Sequence, residues 1–176
     1  MTLAARRLAG LGVAALVLAA DQLVKWWVAG PLRLAQVQVI DILSFFDLRW
    51  AQNYGVSFSL LSASSNESRW LLVGLTALIA LGVLVWLLRE KALPEIAALG
   101  MVLGGALGNI HDRALYGYVV DYADLHFGEF RPFQIFNLAD AAISVGVVII
   151  LARSFLSREK RGPNDDAGSQ TGARAL

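Results

Sequence analysis

Asp140 stands at the mouth of an apolar run. Phe136-Asn137-Leu138-Ala139-Asp140 leads straight into Ala141-Ala142-Ile143-Ser144-Val145-Gly146-Val147-Val148-Ile149-Ile150-Leu151. A carboxylate at the edge of a lipid-spanning stretch is costly and is retained where it faces protein or water and does a job. A second carboxylate, Asp121, lies upstream in Tyr118-Val119-Val120-Asp121-Tyr122, an acid flanked by bulky strand-forming residues. A short strand there presents Asp121 on the face opposite Val120 and Tyr122. If the two acids meet, both cannot comfortably be charged: one pKa rises, the other falls, and the pair shares a proton. That arrangement activates water, the ionised member acting as base and the protonated member polarising a carbonyl. The chain has no cysteine, which excludes a thiol nucleophile, thiolate metal ligands and disulfides. The chemistry indicated is acid–base hydrolysis at a membrane surface.

Blander roles compete for the same residues. Asn137 and Asp140 are three apart on one helix face. They also fit a helix N-cap and the acid of its first turn, where the helix dipole favours the charge. Asp21 and Lys25, spaced i, i+4, read as an ion pair neutralising two costly charges, with a structural role near the site. Asp112-Arg113 reads either as a pair at a helix end or as an arginine that holds a nearby carboxylate ionised or orients loop backbone. Gly100, Gly104, Gly108 and Asp112 recur every four residues along one helix face. Small residues at that spacing let membrane helices approach closely, and they could also leave room for a substrate backbone. Asn109, beside that stripe, is expected to bond to a neighbouring helix. His111, Asp112, Asp121, Asp124, His126 and Asp140 could ligate a metal, but no His-Glu-x-x-His pair or other ligand spacing is present, so neither metal nor cofactor is expected. A Ser–Lys dyad would depend on Lys25, the only lysine on the side carrying the acids, and is weakly supported.

The elements that must position these residues are membrane spans. The chain has 176 residues, 57% of them hydrophobic, above the 45–50% or so usual for soluble domains. The apolar residues fall in four blocks, about Leu8 to Val28, Trp70 to Leu88, Pro94 to Asn109 and Phe136 to Phe155. A span needs about 20 residues, so the third block is marginal unless it continues through Ile110-His111-Asp112. Four spans put both termini on one side. Arg6, Arg7, Arg89, Lys91, Arg153, Arg158, Lys160 and Arg161 share that side, which makes it cytoplasmic. Arg33, Arg49, Arg69, Arg113 and Arg131 lie opposite and weaken the bias. Arg6-Arg7, an apolar run and Leu18-Ala19-Ala20 also fit a cleavable signal peptide, although three further spans follow. A carrier with acids along an ion path is the rival class, but no polar residues continue through the bilayer from the two aspartates. A non-catalytic scaffold with Asn137 and Asp140 as caps is the other. The net charge of +1 and the lack of a basic, aromatic-interleaved stripe give no reason to expect nucleic acid.

Two larger segments then face outward, about 30–69 and about 112–135. In the first, Val37-Gln38-Val39-Ile40-Asp41-Ile42, Phe46-Asp47-Leu48-Arg49-Trp50 and Val56-Ser57-Phe58-Ser59-Leu60 alternate as half-buried strands do, and Asn53-Tyr54-Gly55 is a turn. The expected architecture is an all-α integral membrane protein with four transmembrane helices and a small extracytoplasmic β-sheet and loop over the site. The membrane domain covers 1–158, and 159–176 is a polar, disordered cytoplasmic tail.

Five stretches in order carry a resemblance: Asp21-Gln22-Leu23-Val24-Lys25, Asn53-Tyr54-Gly55-Val56-Ser57-Phe58-Ser59, Gly104 through Arg113, Gly117-Tyr118-Val119-Val120-Asp121-Tyr122, and Phe136 through Asp140. Together, over about residues 8 to 155, they resemble bacterial lipoprotein signal peptidase, also called signal peptidase II. The resemblance implies an aspartyl endopeptidase of the bacterial inner membrane, with its site near the outer leaflet. Its substrates are prolipoprotein signal peptides, cut on the amino side of a diacylglyceryl-modified cysteine. It implies that Asp121 and Asp140 are the catalytic dyad, and that Asp21, Asn53, Asn109, Asp112, Arg113 and Asn137 support the pocket and substrate. Partners implied are membrane lipid and a cyclic peptide antibiotic that occupies the dyad. The sequence departs from the family pattern at Phe133-Gln134-Ile135, at Tyr122 and at Val56-Ser57, positions expected to tune substrate preference rather than the acids.

Overall fold

In the computed structural model the described residues are 1–55 and 66–159. The chain forms α1 (Leu3–Ala29), the single turn α2 (Leu34–Val37), β1 (Val39–Leu43), β2 (Phe46–Asn53), α3 (Asn66–Arg89), α4 (Leu93–Tyr116), β3 (Val119–Leu125) and α5 (Leu138–Glu159). α1, α3, α4 and α5 are each long and apolar enough to cross a membrane. The third apolar block is not marginal. With Pro94 in its first turn it continues seven residues past Asn109 to Tyr116 and closes on Gly117, whose φ of 87° is reached without strain only by glycine. The polar residues Asn109, Asp112 and Arg113 therefore ride on the last two turns of a continuous helix. The reason the hydropathy pattern stopped short is that these residues face protein.

α4 is the central helix, packed on α1, α3 and α5. The glycine stripe allows this. A Cβ at Gly100 would collide with the carbonyl of Gly10, and one at Gly104 with that of Ala14, both on α1. Gly105 faces α5, where a Cβ would lie 2.5 Å from the Ala139 carbonyl, and a Cβ at Gly108 would lie 2.5 Å from Asp21 Oδ2. The glycines are thus filled by neighbouring helices, and the space once conceivable for a substrate backbone does not exist there. Leu99 and Leu103 of α4 pack with Ala14, Ala80, Leu87 and Ile96 in the bundle core. The outer faces of α1, α3 and α5 carry exposed Leu16, Leu78 and Val148, as expected of surfaces solvated by lipid.

β1, β2 and β3 form one antiparallel sheet in that order at one end of the bundle. The first strand begins at Val39 rather than Val37. Val37 closes the turn α2, and Gln38, with φ 70°, redirects the chain into the sheet. β2 runs on past Trp50 to Asn53. The expected strand at 56–60 lies outside the described residues, as does the tail expected over 159–176 except for Glu159, which ends α5. β3, the segment bearing Asp121, joins the same sheet beside β2 with Ala51 opposite Asp121 and Asn53 opposite Val119. It is buried along nearly its whole length. Tyr122 and Ala123 pack with Val28 and Leu34, which seats the sheet on the end of α1. At the far end of the bundle, Arg6 donates to the Lys91 carbonyl (2.8 Å) and Arg153 pairs with Glu95. The start of α1, the α3–α4 link and the end of α5 therefore share one side.

Candidate active site

Asp121 and Asp140 come together through the chain between them. After β3 the backbone loops back, and Phe136 bridges to Ala123 by bonds of 2.8 Å and 3.0 Å. The antiparallel crossing brings Asn137, the next residue, alongside Asp121. Asn137 is fully buried. Its Nδ2 donates to Asp121 Oδ1 at 2.6 Å. Its Oδ1 accepts the Asp140 N–H at 2.9 Å, while Asp140 Oδ2 accepts the Asn137 N–H at 3.3 Å. That reciprocal pair is a capping box with Asn and Asp in place of Ser and Glu. The cap and the meeting of two acids are the same structure, not alternatives.

Each carboxylate has further donors. Asn53 Nδ2 reaches Asp121 Oδ2 at 3.0 Å from β2. The Asn53 carbonyl meanwhile accepts the Gly55 N–H at 2.8 Å, making the turn read from Asn53-Tyr54-Gly55, with Gly55 at φ 81°. Asn109 Nδ2 donates to Asp140 Oδ1 at 2.8 Å, so the amide on α4 does bond to a neighbouring helix. Asp121 is only 2% exposed. Burial pushes its carboxyl up, the Asn53 hydrogen bond opposes this, and the charge of Asp140 pushes it up again, to about 6. The two acids are thus close enough for the charge of one to raise the other. Tyr122, raised to about 12 chiefly by burial, accepts the Leu138 N–H at 3.1 Å and steadies the first turn of α5.

Behind the acids lies a buried charge cluster. Lys25 Nζ is 2.8 Å from both Asp21 and Asp112, and also donates to Asn109 Oδ1 at 3.3 Å. Asp21 then accepts the Ala139 N–H at 3.0 Å, and Asp112 accepts the Val120 N–H at 3.2 Å. Ala139 precedes Asp140 and Val120 precedes Asp121. One ammonium therefore fixes two carboxylates, each of which holds the backbone beside one acid of the pair. The pairing of Asp21 with Lys25 follows from spacing. The second partner of Lys25 does not, and Asp112 pairs with it rather than with Arg113. Gln22 Nε2 bonds to Asp21, Gly108 and Asp112, a role that sequence reasoning missed because an amide in a helix has no spacing signature.

The Arg113 guanidinium lies against Gly55, whose added Cβ would stand 3.2 Å from it. Arg113 thus faces the β2 turn. Arg69 donates to the Arg113 carbonyl at 2.8 Å and to that of Ala114, tying the start of α3 to the end of α4. Arg49 and Arg131 converge on Asp124 Oδ2 at 2.8 Å and 3.2 Å. Burial opposes ionisation of Asp124, but Arg131 and then Arg49 outweigh it and hold the carboxyl below its usual range. This triad pins the 126–135 loop to the sheet. A cavity lined by Asn53, Tyr54, Asp121, Asp124, Arg131 and Phe133 opens between loop and β2 turn. Among the described residues no three His, Cys, Asp or Glu side chains are gathered as metal ligands.

The signal peptidase II family model matches residues 13–156. The lipoprotein signal peptidase of Rhizorhabdus wittichii is 53% identical over 157 residues, covering 89% of this chain and 91% of that protein. That of Sphingopyxis alaskensis is 49% identical over 156 residues, covering 89% and 90%. A bacterial membrane enzyme solved by the in meso method shares the fold, with a TM-score of 0.75 at 23% identity over 89% of this chain and 93% of that one. Four membrane-length helices, a three-stranded sheet at one end and a family match spanning all of them make this chain a member of the signal peptidase II family.

Proposed function

We propose that the protein is an aspartyl endopeptidase that removes signal peptides from prolipoproteins on the amino side of a diacylglyceryl-modified cysteine. The observation that carries this reading is Asn137, whose side chain bonds to Asp121 and to Asp140 at once. The amide donates to the Asp121 carboxyl and accepts the Asp140 backbone N–H, the Asn137 N–H donates to the Asp140 carboxyl, and each carboxyl has one further donor, Asn53 on Asp121 and Asn109 on Asp140. Asp121, pushed up to about 6, carries the shared proton and polarises the scissile carbonyl. Asp140 takes the proton of the attacking water. The gem-diol then collapses, Asp140 returning its proton to the leaving amine and the transferred proton on the diol returning to Asp121, so the pair ends as it began. Arg113, Asn53 and the loop over 126–135 border the entrance and are the groups that hold substrate backbone.

The sheet end of the bundle faces outward in this reading, with both termini cytoplasmic in the bacterial inner membrane. Three of the five arginines expected to oppose that orientation have partners: Arg49 and Arg131 pair with Asp124, and Arg69 is held by carbonyls. They are parts of the fold rather than free topological charges. Substrate helices enter laterally from lipid, and a cyclic peptide antibiotic of the kind that inhibits this family would occupy the dyad cavity. The test is cleavage of a diacylglyceryl-cysteine peptide by the purified protein. The expected product has a new amino terminus at the lipidated cysteine, and Asp121→Asn and Asp140→Asn proteins are folded and inactive. Full activity in either variant refutes the dyad.

A further inference from the structure

A second cavity, of about 360 Å³, lies on the other side of Tyr118 from the dyad. Trp26, Trp50, Tyr116 and Tyr118 form its walls, and Gln22, Lys25 and Asp112 its floor. We propose that this cavity binds the ammonium headgroup of a membrane phospholipid, an ethanolamine or choline head, with the lipid's acyl chains beside α1.

Three features select that chemistry. The walls are four aromatic rings, whose faces attract an organic cation and tolerate its methyl or methylene groups. The one cation on the floor is already paired: Lys25 lies 2.8 Å from both Asp21 and Asp112, so its charge is not left free to repel a ligand cation. The last turn of α1, which ends at the cavity with Ala29 and Gly30, bears no basic side chain, so although Gly30 and Leu32 take the Trp26 and Trp27 carbonyls, the negative end of the helix dipole there has no side-chain cation. The position selects the source. Trp26 is 64% exposed on a membrane-spanning helix, at the level where indole rings meet lipid headgroups. A headgroup seated there has its chains alongside the apolar outer face of α1. Gln22 Nε2 is committed to three acceptors, and among the described residues its carbonyl oxygen accepts none, which leaves it for a primary ammonium.

The cavity adjoins the dyad without sharing a lining residue with its cavity. Tyr118 packs against Tyr54 in a tilted arrangement, 5.7 Å between ring centroids and 56° between planes, and Tyr54 lines the dyad cavity. Val120, also in the lining, is held by Asp112 and precedes Asp121. A bound headgroup braces that wall.

The experiment uses the full chain in detergent, titrated with dihexanoyl phosphatidylethanolamine, phosphatidylcholine and phosphatidylglycerol and read by tryptophan fluorescence. Native mass spectrometry gives the stoichiometry. The ammonium lipids are expected to bind at one saturable site at least about tenfold more tightly than phosphatidylglycerol. Trp26→Leu with Tyr116→Leu, both exposed and outside the bundle core, should weaken only the ammonium lipids, by about tenfold for two exposed cation–π contacts. An unchanged unfolding temperature shows that this variant is intact, and the single Trp26→Leu variant serves if it is not. Equal affinity for all three lipids, or undiminished binding by the variants, overturns the proposal. Soluble ethanolammonium binding as tightly as the lipid assigns the cavity to a free amine instead. Displacement of the lipid by a lipidated signal peptide makes it a substrate subsite. Either result refutes a resident headgroup, and neither reading depends on peptidase activity.

Discussion

Asn53 offers a direct test of how the acid pair divides its proton. Its Nδ2 donates to Asp121 Oδ2 at 3.0 Å and so favours the charged form of a carboxyl that burial and Asp140 push up to about 6. On the proposed mechanism the active enzyme holds a proton on Asp121, and kcat/KM falls as pH rises through about 6. Asn53→Ala removes a hydrogen bond to a charged group, worth about 1.5–3 kcal/mol. At about 1.36 kcal/mol per pKa unit this is one to two units. Asn53 is only half-buried, so water recovers part of it and about one unit remains. The alkaline limb of kcat/KM should therefore move from about 6 to about 7, measured by cleavage of a lipidated fluorogenic peptide in micelles. Asn53 also accepts the Gly55 N–H, so the same variant loosens the turn and should raise KM. Asn53→Asp separates the two effects. It keeps an acceptor for Gly55, donates nothing to Asp121 and adds a like charge, so its limb should move at least as far with less change in KM. A limb that stays put or moves down in both variants refutes the assignment of the proton to Asp121.

Lys25→Met strips the ammonium from between two fully buried carboxylates and should cost about 3–5 kcal/mol, read by thermal unfolding in detergent, with Asp21→Asn/Lys25→Met recovering part of the loss. Asp121→Asn should change stability with pH in a fixed sense. The raised carboxyl gives the folded state extra proton affinity, so its favourable contribution is present below 3.8 and lost as pH rises through about 6. Relative to wild type the Asn variant should therefore gain up to about 3 kcal/mol across that window, and denaturation at both ends of it checks this. Arg131→Leu frees the 126–135 loop from Asp124 while leaving Arg49 in place. For a partly exposed ion pair KM should rise up to about fivefold, with kcat nearly unchanged in steady-state assays.

The spans were legible because lipid imposes a simple rule, that every outward residue be apolar over a whole helix. The rule fails where a helix faces protein, which is why the pattern of α4 ended at Asn109 while the helix ran to Tyr116. Asp21–Lys25, the caps at Asn137 and Asp140 and the Asn53 turn are local, set within four residues, and could be read from spacing alone. Lys25–Asp112 spans 87 positions, Asn53–Asp121 spans 68, and Ala139–Asp21 spans 118. Partners at such separations are chosen by packing, which no periodicity encodes. The merging of the outer segments into one sheet, with β3 beside β2, is of the same kind. The glycine stripe shows the limit from the other side. Its spacing signalled close approach correctly, but only the neighbours' carbonyls show that α1 and α5 already fill the space.

Because Asn137 both caps α5 and bridges the acids, its two roles can be separated by side-chain chemistry. Serine is as good an N-cap as asparagine, so Asn137→Ser should still accept the Asp140 N–H and keep the first turn of α5. What it loses is the Nδ2 donor, which reaches Asp121 Oδ1 at 2.6 Å and Asn109 Oδ1 at 3.3 Å. Asn137→Ala loses both, and the missing cap should cost about 1 kcal/mol more. A residue that only ended a helix would give activity that tracks stability, high in Ser and low in Ala. A residue that also sets the acid pair gives two variants equally poor in kcat although Ser is the more stable. Their alkaline limbs should also shift upward, because the amide favours ionised Asp121. Near-normal kcat in Asn137→Ser would reduce Asn137 to a cap and remove the contact on which the joint action of Asp121 and Asp140 rests.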